Sequence, residues 1–109
     1  MIKIAICDDE NIIVNQIENI ILNVCKTEGI LVDTDAFYCG ETLEKAVMLG
    51  TKYDLIFLDI QMKNGDGITT AKNIREMDEN VLLIYVSGYD KYMMELFRLD
   101  VFAFIKKPI

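Results

Sequence analysis

Short apolar runs alternate along the chain with longer stretches in which apolar residues recur every three or four positions. The apolar runs have the length of strands rather than helices, and the more alternating one, at residues 30–38, predicts a strand near the edge of a sheet. The predicted strands are residues 3–7, 30–38, 55–58, 81–86 and 101–105. The uninterrupted apolar character of residues 55–58 indicates a strand buried on both faces.

Between these strands, the spacing of apolar residues predicts amphipathic helices. The first begins at Asn11 and stops at Gly29, a residue that favours helix ends. Its apolar stripe is expected at Ile13, Ile17, Ile20, Ile21 and Val24. The other helices are predicted at residues 41–49, 68–77 and 90–100. Strands separated by single helices predict an α/β fold with a doubly wound, five-stranded parallel sheet.

Length and charge restrict the classes of function. The chain has 109 residues, enough for one domain, and its formal net charge is −7. It has no run of Lys and Arg that could follow a phosphate backbone, so we expect no direct contact with nucleic acid. The apolar start is too short for a signal peptide or a membrane span, so we expect a cytoplasmic protein without membrane contact.

The three cysteines do not suggest a metal or disulfide site. Cys7, Cys25 and Cys39 are odd in number, have no CxxC spacing and are accompanied by no histidine. We interpret them as small residues that fill the core.

Polar residues follow the predicted strands where those strands end. They are Asp8 and Asp9, Asp59, Ser87, and Lys106 and Lys107. The carboxyl ends of parallel strands share one edge of the sheet, where ligands bind. Each residue alone has an ordinary explanation as a helix cap, a turn residue or a surface lysine. Together they favour a functional site.

Three neighbouring carboxylates repel one another, and a hard divalent cation such as Mg²⁺ relieves that repulsion. One aspartate then remains available as a nucleophile toward phosphorus, and a lysine and a serine can bind the phosphoryl oxygens. The set predicts phosphoryl transfer to an aspartate. Acyl transfer and glycoside hydrolysis fit less well, because the chain has no His to act as a base and no Trp to stack on a sugar.

Four motifs in order carry a family resemblance over the whole chain: IAICDDE, LIFLD followed by IQMKNGDG, LLIYVSG and FIKKP. With these motifs the chain resembles the receiver domains of two-component response regulators. The resemblance implies a flavodoxin-like fold with strand order 2-1-3-4-5. It also implies a signalling domain rather than an enzyme, one that catalyses its own phosphorylation and dephosphorylation.

The resemblance also assigns the phosphoacceptor and the metal ligands. Asp59 would accept the phosphoryl group. Asp8 and Asp9 would hold Mg²⁺ together with Asp59, and the backbone carbonyl of Gln61 would complete the protein's share of the metal shell.

The remaining implied roles concern the phosphoryl group and the switch. Lys107, rather than Lys106, would bind phosphate because a proline follows it, and the Lys107–Pro108 bond would be cis. Ser87 would sense the phosphoryl group, and Phe104 would be the aromatic switch residue.

Three features depart from the family's pattern. Lys63 stands where the family usually has proline, which is expected to loosen the loop, and Phe104 lacks the hydroxyl of a tyrosine. The chain also stops at Ile109, before the family's fifth helix, which would leave an apolar face of the sheet uncovered beside the first helix. We therefore expect residues 1–109 to be an N-terminal fragment of a longer regulator. The ending is similar to regulators with a LytTR-type DNA-binding output domain.

The resemblance implies a sensor histidine kinase and an output domain outside this chain as partners, the output being transcription regulation. Tyr92 and Met94, off the apolar stripe of the predicted helix at residues 90–100, are candidates for a signalling or homodimer face.

Two alternatives stay open. A haloacid-dehalogenase-type phosphatase also uses a strand-terminal Asp and Mg²⁺, but it needs a second Asp where this chain has Gln61. A receiver that acts only as a protein-binding module would need no phosphate, although the intact acidic set argues against that reading.

Overall fold

A five-stranded parallel sheet lies at the centre of the fold, in a computed structural model that describes residues 1–63, 66–88 and 101–109. In these residues the elements are β1 (Ile2–Cys7), α1 (Asn11–Glu28), β2 (Val32–Phe37), α2 (Gly40–Met48), β3 (Leu55–Leu58), α3 (Gly67–Met77), β4 (Leu82–Ser87) and β5 (Ala103–Lys106). The helix predicted at residues 90–100, with Tyr92 and Met94, lies outside the described residues.

The strand order is β2-β1-β3-β4-β5, and every pairing is parallel. This order confirms the predicted flavodoxin-like, doubly wound α/β fold and the position of β2 at an edge. From β1 the chain moves outward to β2 and then returns to place β3 on the other side of β1. The reversal opens a crevice at the carboxyl ends of β1 and β3, where ligands bind in such sheets.

Helix α1 ends where the sequence predicts, and its buried face matches the predicted stripe in part. Gly29 follows it in the left-handed conformation, with φ of 69°. The buried side chains are Val14, Ile17, Ile21 and Cys25. The prediction that Ile20 and Val24 belong to the buried stripe is wrong, because their side chains are 48% and 55% exposed.

The two faces of the sheet are covered unequally. On the face that α2 and α3 cover, Ile56 and Leu58 of β3 are fully buried. On the α1 face, Leu55 and Phe57 are only half-buried, so the expected burial of β3 on both faces is wrong for these two residues.

An apolar recess of about 120 Å³ accounts for the partial burial of Phe57 on the α1 face. It lies between α1 and the sheet and is lined by Ile17, Ile20, Ile21, Phe57, Val86, Ile105 and Ile109. The recess is on the side of the sheet where an uncovered apolar face is expected from the sequence.

The three cysteine thiols are free, and two of them fill the core as predicted. Cys7 and Cys25 are buried, whereas Cys39 is half-buried just before α2, where its sulfur lies 3.4 Å from the hydroxyl of Thr42. The interpretation of Cys39 as a core residue is wrong, because its position at a helix start leaves it partly in solvent. Among the described helices, none has both the length and the hydrophobicity to cross a bilayer.

Candidate functional site

Three carboxylates meet at the carboxyl edge of the sheet. Asp8 and Asp9 directly follow β1, and Asp59 directly follows β3, its neighbour in the sheet. One ligand oxygen from each of the three lies within 4.8 Å of the other two. Asp8 and Asp59 are 1% and 4% exposed, while Asp9 is half-buried. The strand ends therefore bring these residues together, as the sequence predicts.

Lys107 supplies a positive charge to this cluster. Its Nζ lies 2.9 Å from Oδ2 of Asp8 and 3.6 Å from Oδ1 of Asp59. The backbone N–H of Lys107 donates to the carbonyl of Ser87, which holds the end of β5 beside β4. The Lys107–Pro108 peptide bond is cis, and the side chain of Lys106 is exposed. Lys107 rather than Lys106 thus reaches the carboxylates.

The electrostatics of the cluster favour a cation. Burial, followed by the negative charge of Asp8, raises the pKa of the Asp59 carboxyl from 3.8 to about 6, although Lys107 lowers it in part. Burial also opposes the charged form of Lys107, but its hydrogen bond to Asp8 and the charge of Asp59 raise its pKa. One ammonium does not balance three carboxylates. A set of closely spaced carboxylate oxygens with excess negative charge fits a hard divalent cation such as Mg²⁺.

An open cavity of about 380 Å³ lies over the carboxylates. Its lining includes Asp9, Asp59, Gln61, Met62, Lys63, Gly88 and Lys107. Met62, whose sulfur lies 3.8 Å from that of the buried Cys7, contributes an apolar surface to this lining. The cavity gives a polar ligand direct access to Asp59 and Lys107.

The loop after β3 is held against Asp59 by its own backbone. The N–H of Gly67 donates to the carbonyl of Ile60 at 2.6 Å, and Gln61 pairs with Asp66 in an isolated antiparallel bridge. A Cβ atom at residue 67 would collide with the carbonyl oxygen of Asp59, so only glycine fits this close approach. These contacts fix the backbone from which the Asp59 carboxylate projects.

The two predicted switch residues lie on neighbouring strands. Ser87 ends β4 and is fully buried. Phe104 of β5 is half-buried, packs against the core cluster beneath α2 and α3, and is in register with Tyr85 of β4. Ser87 therefore ends the strand next to β3, at the edge that carries Asp59, and Phe104 lies one strand further from β3.

Three backbone donors to the carboxylates are absent from the sequence prediction. The N–H of Gln61 donates to Oδ1 of Asp59 at 3.4 Å. The N–H of Glu10 donates to Oδ1 of Asp8 at 2.9 Å, and the N–H of Lys63 donates to Oδ2 of Asp9 at 2.8 Å. The signal available at position 63 is that the residue is not proline and so retains its N–H. Nothing in the side-chain pattern indicates where that N–H points.

Comparisons with known proteins agree on one family. A family model described as the response regulator receiver domain matches residues 4–109. Sensory transduction protein LytR of Staphylococcus haemolyticus (strain JCSC1435) is 33% identical over 106 residues, covering 97% of this chain and 40% of that protein. The chain spans about two-fifths of the length of the curated relatives it matches.

Solved structures give the same picture. The REC domain of AraT, a response regulator from Geobacillus stearothermophilus, is 36% identical with a TM-score of 0.77, covering 97% of this chain and 81% of that one. Response regulator TrrA from Thermotoga maritima, in complex with Mg²⁺-BeF, is 26% identical with a TM-score of 0.76, covering 100% of this chain and 89% of that one.

Proposed function

Because this chain belongs to the family of response regulator receiver domains of two-component systems, we propose that it is a phosphoacceptor whose phosphorylated residue is Asp59. A sensor histidine kinase donates the phosphoryl group, and an output domain outside this chain receives the signal. The LytR-type relatives favour transcription regulation through a LytTR-type DNA-binding domain as that output. In this proposal residues 1–109 are the N-terminal part of a longer regulator.

One observation carries the proposal. The Asp59 carboxylate lies at the end of a central strand, beneath an open cavity, with the Lys107 ammonium 3.6 Å from its Oδ1. A nucleophile, a cation for the phosphoryl oxygens and an approach path for the donor are therefore present at one place.

Mg²⁺ is the proposed cofactor, held by the carboxylates of Asp8, Asp9 and Asp59 and by the backbone carbonyl of Gln61. The spacing of the three carboxylates and the excess negative charge support this assignment. When bound, the ion neutralises negative charge on the phosphoryl oxygens as the group transfers.

The residues of the chain carry out the transfer. An oxygen of Asp59 forms a bond to phosphorus while the bond between phosphorus and the kinase histidine nitrogen breaks, and that nitrogen keeps the electron pair. The Lys107 ammonium, already between Asp8 and Asp59, binds a phosphoryl oxygen of the product. The Ser87 hydroxyl donates to another of its oxygens.

We propose that the phosphoryl group changes the surface of the molecule through Ser87 and Phe104. Movement of Ser87 toward the phosphoryl group frees space on the neighbouring strand, and Phe104, already half-buried, turns further inward. With no hydroxyl on its ring, Phe104 switches by packing alone. The added charge of the phosphoryl group thereby alters the surface of the molecule on the β5 side of the sheet.

Amide NMR shifts in the presence of Mg²⁺ and beryllofluoride, a mimic of aspartyl phosphate, test the proposal. We expect saturable shifts at Asp9, Ser87, Phe104 and Lys107 that are lost in Asp59→Asn. No response from the folded wild-type domain would contradict the proposal and favour a phosphate-independent binding module. Turnover of a generic phosphate monoester would favour the phosphatase alternative.

A pair of adjacent lysines provides a matched test of the phosphate-binding role. Lys107→Met removes the ammonium that contacts Asp8 and Asp59, and we expect it to weaken beryllofluoride binding at least roughly tenfold. Lys106→Met removes an exposed ammonium one residue away, and its affinity should stay within about threefold of wild type. Equal losses in both variants would refute the assignment to Lys107.

A further inference from the structure

The backbone N–H of Lys63 contacts a carboxylate that lies far away in the sequence. It donates a hydrogen bond to Oδ2 of Asp9, with a nitrogen-to-oxygen distance of 2.8 Å. From this contact we infer that Lys63 is a positioning residue: its main-chain N–H holds the Asp9 carboxylate in the orientation that binds Mg²⁺. The inference rests on the proposed function, because it takes Asp9 as a metal ligand.

Asp9 has more freedom to turn away from the cluster than its neighbours have. Asp8 is buried, with Oδ1 bonded to the Glu10 N–H and Oδ2 to Lys107. Asp9 is half-buried at the lining of the open cavity, and repulsion from Asp8 and Asp59 favours its rotation into water. A hydrogen bond from a backbone N–H to the ionised carboxylate opposes that rotation.

The contact engages Oδ2 of Asp9, so the hydrogen bond does not use the second oxygen, Oδ1. Carboxylates that bind metals are commonly held in place by a hydrogen bond to the carboxylate group. Loss of such a hydrogen-bond partner weakens metal affinity roughly 10- to 100-fold. The Lys63 side chain is exposed, so the positioning is carried by the backbone.

The identity of residue 63 decides whether this hydrogen bond can exist. Proline, which receiver domains usually carry after the methionine, has no N–H and cannot donate it. Any other residue retains the donor, so Lys63→Ala removes the charged side chain alone, and Lys63→Pro removes the hydrogen bond as well. These two variants separate the backbone contribution from the charge of the side chain.

The experiment measures the Mg²⁺ dissociation constant by NMR titration of wild type, Lys63→Ala and Lys63→Pro. We expect Lys63→Pro to bind Mg²⁺ at least roughly tenfold more weakly than wild type and Lys63→Ala to stay within about threefold. Hydrogen exchange of the Lys63 amide gives a second readout without metal. That amide should exchange more slowly in wild type than in Asp9→Ala, where the acceptor is missing.

Each contrary result has a distinct meaning. Equal Mg²⁺ affinity in Lys63→Pro and wild type, or an equal loss in Lys63→Ala and Lys63→Pro, overturns the inference while the proposal for Asp59 stands. If Lys63→Pro does not fold, equal exchange of the Lys63 amide in wild type and Asp9→Ala overturns it instead. A folded wild-type domain that binds no Mg²⁺ overturns the proposed metal site, and the inference with it.

Discussion

The buried carboxylate of Asp59 opposes folding of the metal-free domain at neutral pH. Its folded-state pKa, about 6, lies above the ordinary value of 3.8, so the folded protein binds this proton more tightly than the unfolded chain does. The corresponding stabilisation is complete below about pH 4 and is lost as the pH rises through about 6. A shift of this size corresponds to a loss on the order of 3 kcal/mol.

We predict that Asp59→Asn raises the free energy of unfolding of the metal-free domain at neutral pH. The amide carries no charge, so its burial beside Asp8 avoids the cost that the ionised carboxylate incurs. The expected gain is about 2 kcal/mol near pH 7.5 and close to zero near pH 4, measured by urea unfolding. Glu79→Gln, which neutralises an exposed carboxylate in the loop after α3, should change the unfolding free energy by less than about 0.5 kcal/mol. A destabilised Asp59→Asn at neutral pH would contradict the electrostatic account.

The identities of the side chains predict part of this site, but they do not predict which backbone N–H groups donate to the carboxylates. Asp8, Asp9 and Asp59 could be identified because each follows a strand end, and parallel strand ends converge. The same argument leaves Lys106 and Lys107 as equal candidates, and only the family resemblance, which places the lysine before a proline, favours Lys107. The N–H of Lys63 could not be identified, because every residue except proline has the same donor. Where that donor points depends on the path of the loop, which the side chains do not encode.

At the scale of elements, the start of α3 fixes the end of β3. The backbone of Gly67 lies so close to the carbonyl of Asp59 that no Cβ can be accommodated, and Asp66 caps the helix by accepting from the Thr69 N–H at 2.7 Å. The helix start and the proposed phosphoacceptor therefore move together. A displacement of one should appear in the geometry of the other.

We predict that Gly67→Ala destabilises the fold by at least about 2 kcal/mol and also weakens beryllofluoride binding, because the added methyl group pushes the Asp59 backbone out of position. Urea unfolding and NMR titration measure the two effects. Gly88→Ala is the matched control for stability, since its Cβ would meet only the Lys107 Cβ, at 4.0 Å. Similar unfolding free energies for the two variants would show that the close approach at residue 67 has no energetic consequence.

In helix α1, hydrophobic periodicity does not determine which face of the helix is buried. This helix has apolar residues on more than one face. Besides the buried side chains, four apolar side chains are exposed: Ile12, Ile20, Leu22 and Val24. Spacing alone then fits several stripes. The contacts with the sheet select the stripe that contains Val14, which the sequence pattern does not single out.

Two valines on α1 make this choice measurable. We predict that Val14→Ala lowers the free energy of unfolding by about 2 kcal/mol, because it removes two methyl groups from a fully buried site. Val24→Ala makes the same change on the same helix at a side chain that is 55% exposed, and its loss should be below about 0.5 kcal/mol. Equal losses would indicate that Val24 is buried in solution.

At the scale of the whole molecule, the order of elements was the most predictable feature. Alternation of strands and helices restricts the connections to right-handed crossovers, and the alternating pattern of residues 30–38 indicates an edge strand, which β2 is. The alternation of elements does not indicate the partial exposure of β3, although the family resemblance led us to expect an uncovered apolar face beside α1. This exposure depends on how much of one sheet face α1 covers, and the recess beside Phe57 and Ile105 results from three-dimensional packing.

Because the net charge is −7, stabilisation by Mg²⁺ at a specific site has to be distinguished from general screening by salt. Any salt reduces repulsion among 18 acidic residues, but only a site that forms in the folded state gains from a particular ion. We predict that Mg²⁺ at about ten times its dissociation constant stabilises the folded domain by about 1.4 kcal/mol. Thermal unfolding with Mg²⁺, compared with NaCl at equal ionic strength, measures the difference.

The pH dependence of that stabilisation identifies the carboxylates responsible. Since the pKa of Asp59 is about 6 without metal, protons compete with Mg²⁺ below that pH, and the gain should decline between about pH 7 and pH 5. In Asp59→Asn the competing proton is gone and one ligand charge is lost, so the gain should be smaller and should no longer fall through pH 6. If NaCl stabilised the domain as much as Mg²⁺ at equal ionic strength, screening of the acidic surface would account for the whole effect. The three-carboxylate site would then have no measurable preference for the ion.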